Sequence, residues 1–358
     1  MPDHSTSGLS HQAAINHIST GPNLPHRLHR QSRHPRHTLR RYAIPLAAAI
    51  TIITVATTLT AASPLTIPDG NLFTNYRHGF HLGNLILQIQ LDRHNLSPNC
   101  IDGVWGPRTE IALLTWQTLH NLPVTGIPDN TLLATFGSIT NIFTTYTVTS
   151  NDLASLTAIP TTWPERAAMP RLGYETIREK VAELGHMSQR GLENLNPGLT
   201  WPNPPAGTVI TIPSLPPTSP TTATSLHISL TRTEVTAYDH TGTLIALFPC
   251  SIAAEKKQRP AGALTVTAIA PNPNYTYDPQ LFFPGSSNTT KLIIPPGPNN
   301  PVGLAWISLS LQGYGIHGTP IPEHIGRAES KGCFRLANWN AVKLLRMVQT
   351  GTPVTITE

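Results

Sequence analysis

The residues able to do chemistry cluster between Tyr314 and Asn340. His317 stands there in Gly315-Ile316-His317-Gly318, and Cys333 follows sixteen positions later in Ser330-Lys331-Gly332-Cys333-Phe334-Arg335. A thiol is mostly protonated at neutral pH, and a nearby imidazole or positive charge raises its thiolate fraction, so this pair has the makings of a nucleophile and its base. To work together they need an apolar strand over 313–317 that presents the imidazole at its end. They also need a sharp bend at Gly332, so that the thiol projects into a cleft. In this reading His317 takes the proton, Lys331 and Arg335 flank the sulfur with positive charge, and the amides of Gly332 and Cys333 point at the oxygen of a tetrahedral intermediate. By residue type alone the competing explanation is a small buried cysteine and a satisfied core histidine.

Order and spacing favour chemistry. A His-Gly, a spacer of this length and then Ser-X-Gly-Cys-apolar-Arg resemble the signature of the YkuD-type L,D-transpeptidase catalytic domain. The likeness continues upstream in Pro298-Asn299-Asn300-Pro301-Val302-Gly303 and downstream in Asn338. It implies that Cys333 attacks the carbonyl of the third, L-centred residue of a peptidoglycan stem tetrapeptide, expels the terminal D-Ala and holds the stem as a thioester for an amine acceptor. It also implies that the Gly318 carbonyl orients His317, so that no acidic third member is needed and Glu323 and Glu329 are solvated loop charges. Ser330 and Gly332 join Gly318 in the oxyanion and orienting set. Where many relatives carry a second histidine before the Gly-Cys, this chain has Lys331, a fixed charge. Arg335, Tyr314, Asn338 and Lys331 are the candidate substrate contacts, with Arg335 alternatively shaping the cleft and Asn338 alternatively capping the next helix. Tyr275, Tyr277 and Trp306 are groove or core aromatics. Carbapenems are the implied covalent inhibitors. With water as acceptor the same site is an L,D-carboxypeptidase; without catalysis the chain is a wall-binding scaffold. A papain-type peptidase presents its cysteine before its histidine, the reverse of the order here. No metal or nucleotide motif occurs, and no cofactor is expected.

At 358 residues, with 35 prolines and 12% charged residues, the chain predicts several units of short elements and many turns. The net charge of +5 sits in one place. Residues 1–41 carry six arginines (27, 30, 33, 36, 40 and 41) against Asp3, which leaves the remainder balanced and argues against a nucleic-acid surface. Seven of the sixteen histidines fall in the same arm at irregular spacing, without cysteines or carboxylates grouped as metal ligands, so the arm reads as disordered and basic. With Cys333 reserved for chemistry, Cys100 and Cys250 are the only possible disulfide pair, and no spacing pattern supports a bridge.

In chain order, 1–41 is a basic cytoplasmic arm. The segment 42–63 contains twenty uncharged residues from Ala43 to Ala62, enough at about 1.5 Å per residue to cross a hydrocarbon core of about 30 Å. Arg40 and Arg41 at its start place the body on the extracytoplasmic side of the inner membrane, whether the segment is a retained anchor or a cleaved signal. Residues 72–138 show two helical patterns around Pro98-Asn99-Cys100-Ile101-Asp102-Gly103-Val104-Trp105-Gly106-Pro107 and resemble the small all-α peptidoglycan-binding domain. Residues 143–214, strand, two helices, strand, resemble a diverged α+β LysM module, with an insertion from Trp163 to Arg171 that departs from the pattern and leaves glycan binding or a spacer role open. A Pro/Ser/Thr linker, 215–225, leads to a mainly-β domain, 226–358, whose order of strands resembles the L,D-transpeptidase sandwich.

Overall fold

A computed structural model of the chain describes residues 70–137, 141–216, 221–282, 285, 287, 289–326, 328–330 and 332–358. The arm 1–41, the apolar segment 42–63 and Lys331 lie outside the described residues. Among the described residues no helix is long and apolar enough to cross a membrane.

Helix α1 (Leu82–Arg93) buries every residue from Gly83 to Asp92. Sequence periodicity marks only its apolar stripe, Leu82, Leu85, Ile86 and Ile89; the polar Asn84, Gln88 and Asp92 are buried because each holds a partner. Gln88 Nε2 donates to Asp102 Oδ1, Val104 O and Thr109 Oγ1, while its Oε1 accepts from the amides of Asp102 and Gly103. One side chain thus fixes the Asp-Gly turn and joins it to α2 (Pro107–Leu119), which starts on a proline at its first position. The short α3 (Asn130–Thr135) is capped by Asp129, whose carboxylate accepts from the Leu132 amide.

The next unit runs β1 (Phe143–Thr147), α4 (Ser150–Ala154), α5 (Trp163–Ala167), α6 (Ile177–Leu184), α7 (Gln189–Leu195) and β2 (Val209–Pro213), and β1 pairs antiparallel with β2. Sequence analysis separates 72–138 from 143–214, but the two share one core. Leu85, Ile89 and Trp116 pack in the same cluster as Val181, Leu192 and Ile210. The physical reason is α1: a helix apolar or pinned on all sides needs partners on all sides.

The C-terminal domain holds β3 (Ser225–Ser229), β4 (Glu234–Tyr238), β5 (Leu244–Pro249), β6 (Ile252–Ala253), β7 (Gly262–Pro271), β8 (Tyr275–Tyr277), α8 (Pro279–Phe282), β9 (Leu292–Ile294), β10 (Ala305–Leu309), β11 (Gly315–His317), β12 (Ala328–Ser330), β13 (Phe334–Arg335), α9 (Asn338–Met347) and β14 (Pro353–Thr357). Eight strands form one hydrogen-bonded run, β13-β11-β10-β7-β14-β3-β4-β5. The ten-residue β7 belongs to both halves, pairing with β14 over Gly262–Thr265 and with β10 over Val266–Pro271, so the sheet turns through one long strand instead of splitting in two. The linker ends early: the Ala223 amide donates to Met347 O and the Thr224 amide to Tyr238 O.

The helical region seals the open edge of this sheet. Ser97 N–H donates to Leu247 O, and Leu247 N–H to Asn95 O, which gives edge strand β5 its missing partners. A second tie is ionic. Asp92, 1% exposed, accepts from Lys343 Nζ of α9 at 2.9 Å and faces His186 Nδ1 at 2.8 Å. Although burial alone would push its carboxyl up, these partners hold it far below the usual range. Lys343→Met strands a buried carboxylate and is expected to cost about 3 kcal/mol, read as a lowered urea midpoint.

Candidate active site

Strand β11 is short and wholly buried, held between β10 on one side and β13 on the other. Its pairing with β13 is parallel, with Ile316 opposite Phe334 and His317 opposite Arg335. Alternation puts Ile316 and Phe334 toward the core, and His317, Arg335 and Cys333 toward the other face. Cys333 therefore stands about opposite Gly315, two positions from His317, a diagonal of roughly 8 Å between Cα atoms at ordinary strand spacing and rise. Ser251 fixes β13 from its far side, exchanging both backbone hydrogen bonds with Arg335.

His317 is 6% exposed. Its Nδ1 lies 2.7 Å from Gly318 O, and because a carbonyl can only accept, the proton sits on Nδ1 and Nε2 carries the free lone pair. Trp306, its cross-strand neighbour on β10, stacks on the imidazole at 5.5 Å and 21°. Burial holds the ring well below its ordinary value, at about 4; the Gly318 hydrogen bond opposes this and Arg335 adds to it. The imidazole is thus neutral at neutral pH.

The thiol is also neutral. Burial pushes Cys333 up to about 11, against the Gly315 amide and Arg335, which favour the thiolate. Its Sγ lies 3.6 Å from Gly313 O, the geometry of a weak S–H donor to a carbonyl. Desolvation outweighs the positive charge of Arg335.

Burying His317 neutral also sets a stability window. The unfolded chain binds a proton below about pH 6.5 and the native site does not until about 4, so stability present above 6.5 is lost as the pH falls between them. The loss approaches about 3 kcal/mol at pH 4, and His317→Gln is expected to remove that part of the acid slope in chemical denaturation.

The remaining predicted residues fall as follows. Gly332 has φ of +145°, and a Cβ there would meet the Tyr314 ring at 2.9 Å, so only glycine fits the turn before Cys333. Its amide donates to Ser330 Oγ at 3.3 Å, and Ser330 Oγ donates to Cys333 O at 2.6 Å. Ser330 therefore ties the loop, and the Gly332 amide turns inward, contrary to the expectation that it points at an oxyanion. Tyr314 OH donates to Gln258 O at 3.1 Å and serves as the wall behind Gly332. Asn338 is fully buried, so it cannot touch substrate. Nor does it cap α9, whose N-cap is Ala337 without a side-chain bond. Its Oδ1 accepts from the Leu304 amide, and its Nδ2 donates to Glu183 Oε2 and Pro298 O. Cys100, Cys250 and Cys333 are all free. Cys100 packs with Ala337 and Trp339 and Cys250 lies in the sheet core, where burial drives both thiols up, Cys250 to about 12.

Residues 223–356 match the family model described as the L,D-transpeptidase catalytic domain, YkuD, and residues 85–135 match a putative peptidoglycan binding domain. A protein described as a putative L,D-transpeptidase YkuD from Bacillus licheniformis is 31% identical over 185 residues, 51% of this chain and 94% of that protein. The chain belongs to the YkuD family of L,D-transpeptidases. The Bacillus subtilis protein of the same description is 52% identical over 59 residues, 16% of this chain and 36% of its own length. Among solved structures, the catalytic domain of the Enterococcus faecium L,D-transpeptidase acylated by ertapenem aligns with 38% of this chain and 98% of its own, at 20% identity and a TM-score of 0.29. An L,D-transpeptidase from Mycobacterium smegmatis aligns with 44% and 76%, at 18% and 0.31.

In this L,D-transpeptidase two neighbours of the site come from the unit that precedes the catalytic domain. The hairpin β8–β9 receives Trp163 from α5, stacked on Tyr277 at 4.4 Å and 17°. On the same hairpin, burial and the nearby Cys333 raise Tyr275 to about 12. The insertion Trp163 to Arg171, which breaks the modular pattern, is thus a packing surface, and the only signal for it is its tryptophan. Glu183 is the other, since its partner lies 155 positions away in the chain. Burial pushes its carboxyl up to about 7, opposed by the donors Asn338 and Tyr174.

Proposed function

We propose that the chain is a peptidoglycan L,D-transpeptidase in which Cys333 carries the acyl group and His317 carries the proton. The observation that bears most weight is the neutral imidazole with Nδ1–H bound to Gly318 O, which leaves Nε2 as a base on the face shared with the thiol. Nε2 takes the S–H proton as sulfur attacks the L-centre carbonyl of a stem tetrapeptide. The C–N bond to terminal D-Ala then breaks, and its nitrogen leaves with the proton held by His317. An acceptor amine gives a proton to Nε2 as it attacks the thioester, and the C–S bond breaks with return of a proton to sulfur. Arg335, which biases both groups electrostatically, stabilises negative charge as it develops on sulfur and oxygen.

Several finer points belong to the same reading. Residues 85–135 hold the enzyme on peptidoglycan, and the unit 143–214 supplies a further glycan contact or a spacer. The segment 43–62 anchors the body in the inner membrane, on its extracytoplasmic side. Carbapenems acylate Cys333. Incubating the chain with disaccharide-tetrapeptides tests the reaction: crosslinked dimers with release of one D-Ala support it, tripeptides alone indicate the carboxypeptidase, and unchanged muropeptides leave a wall-binding scaffold.

A further inference from the structure

The catalytic domain does not hold His317 alone. Gly318, whose carbonyl fixes the imidazole, and Gly303, at the entrance to β10, both press on the amide oxygen of Asn338. A Cβ built on Gly318 would lie 2.2 Å from that oxygen, and one on Gly303 would lie 2.0 Å from it. The same oxygen accepts from the Leu304 amide at 3.1 Å. Asn338 is therefore the peg around which the His317 loop and the β10 entrance close.

Which way that amide faces is set in part from outside the domain. An Asn side chain can turn over, exchanging oxygen and nitrogen, and the turned form would set an NH2 against the Leu304 N–H. Two acceptors prevent it. Pro298 O is 3.2 Å from Nδ2, and the shorter contact, 2.8 Å, is Glu183 Oε2 on α6, in the unit that precedes the catalytic domain. Glu183 is itself held by Tyr174 OH, which donates to Oε1 at 2.8 Å. We propose that Glu183 is a positioning residue of the transfer reaction: its carboxylate locks the Asn338 amide, the amide seats Gly318, and the Gly318 carbonyl sets the tautomer and aim of His317. The preceding unit is then part of the catalytic apparatus as well as a possible wall contact. The inference rests on His317 being the base.

The test is single-turnover acylation of the full chain by ertapenem, followed by intact mass as a function of probe concentration and pH. Glu183→Ala is expected to slow the saturated acylation step about 30-fold, by analogy with the cost of an ångström-scale misplacement, while the half-saturating concentration stays within about twofold. Glu183→Gln keeps an acceptor for Asn338 Nδ2 and presents its NH2 to the Tyr174 oxygen, so it is expected to remain within about threefold of the parent. Should the alanine variant not fold, Glu183→Asp, which withdraws the carboxylate by one methylene, is expected to be slowed about tenfold. The proposal is overturned if Glu183→Ala and Glu183→Asp acylate at the parental rate, if glutamine is as slow as alanine, or if the change lies wholly in half-saturation. A parent chain that never acylates at Cys333 while its muropeptides remain unchanged overturns the reading of the active site instead.

Discussion

Cys333→Ala is expected to bring tetrapeptide turnover to background, and Cys333→Ser to do nearly the same. The serine result is the more telling. With a base held at about 4, His317 has little driving force to take even the thiol proton, whose group lies at about 11. Sulfur tolerates this because it is polarisable and the proton moves as attack proceeds, whereas a hydroxyl is far less acidic. Both variants should therefore lose about 10⁴-fold or more in kcat/KM, a loss of about 5 kcal/mol or more in transition-state stabilisation. Steady-state release of D-Ala measures it. Because Cys333 is only half-buried and either change is small, thermal stability should be almost unchanged.

Gly318→Ala is expected to lower kcat by about 10²-fold with little change in KM, since a displaced base costs roughly that much per ångström. The new methyl would lie 2.2 Å from Asn338 Oδ1, an amide held by three hydrogen bonds, and 3.2 Å from the backbone at Gly303 Cα. The loop must therefore move, and the carbonyl that holds Nδ1 of His317 moves with it. Comparing kcat and KM separately distinguishes this from lost substrate contact, which would raise KM instead.

The strand that ends at His317 and the glycine bend before Cys333 were legible in the sequence because their signals are local. Strands β3, β4, β10 and β14 were legible too, since β10 and β14 alternate strictly between core and surface. The junctions between units were not. Helical periodicity assigns no role to the polar Gln88 and Asp92, yet one pins a turn and the other takes Lys343 from 251 residues away. Asn338 read as a cap because it precedes a helix, but its partners come from residues 183, 298 and 304. Ionisation is not legible in the sequence either, since Arg335 beside a cysteine favours the thiolate while desolvation of the site opposes it more strongly.

The central claim, that Cys333 carries the acyl group, is tested most directly by trapping. The chain is mixed with a disaccharide-tetrapeptide in the absence of an acceptor amine, quenched in acid and digested for peptide mass mapping. The account predicts a tripeptide-stem adduct, lacking D-Ala, on the fragment that contains Cys333 and nowhere else. Release of D-Ala with no adduct there, or an adduct on Cys100 or Cys250, would contradict it.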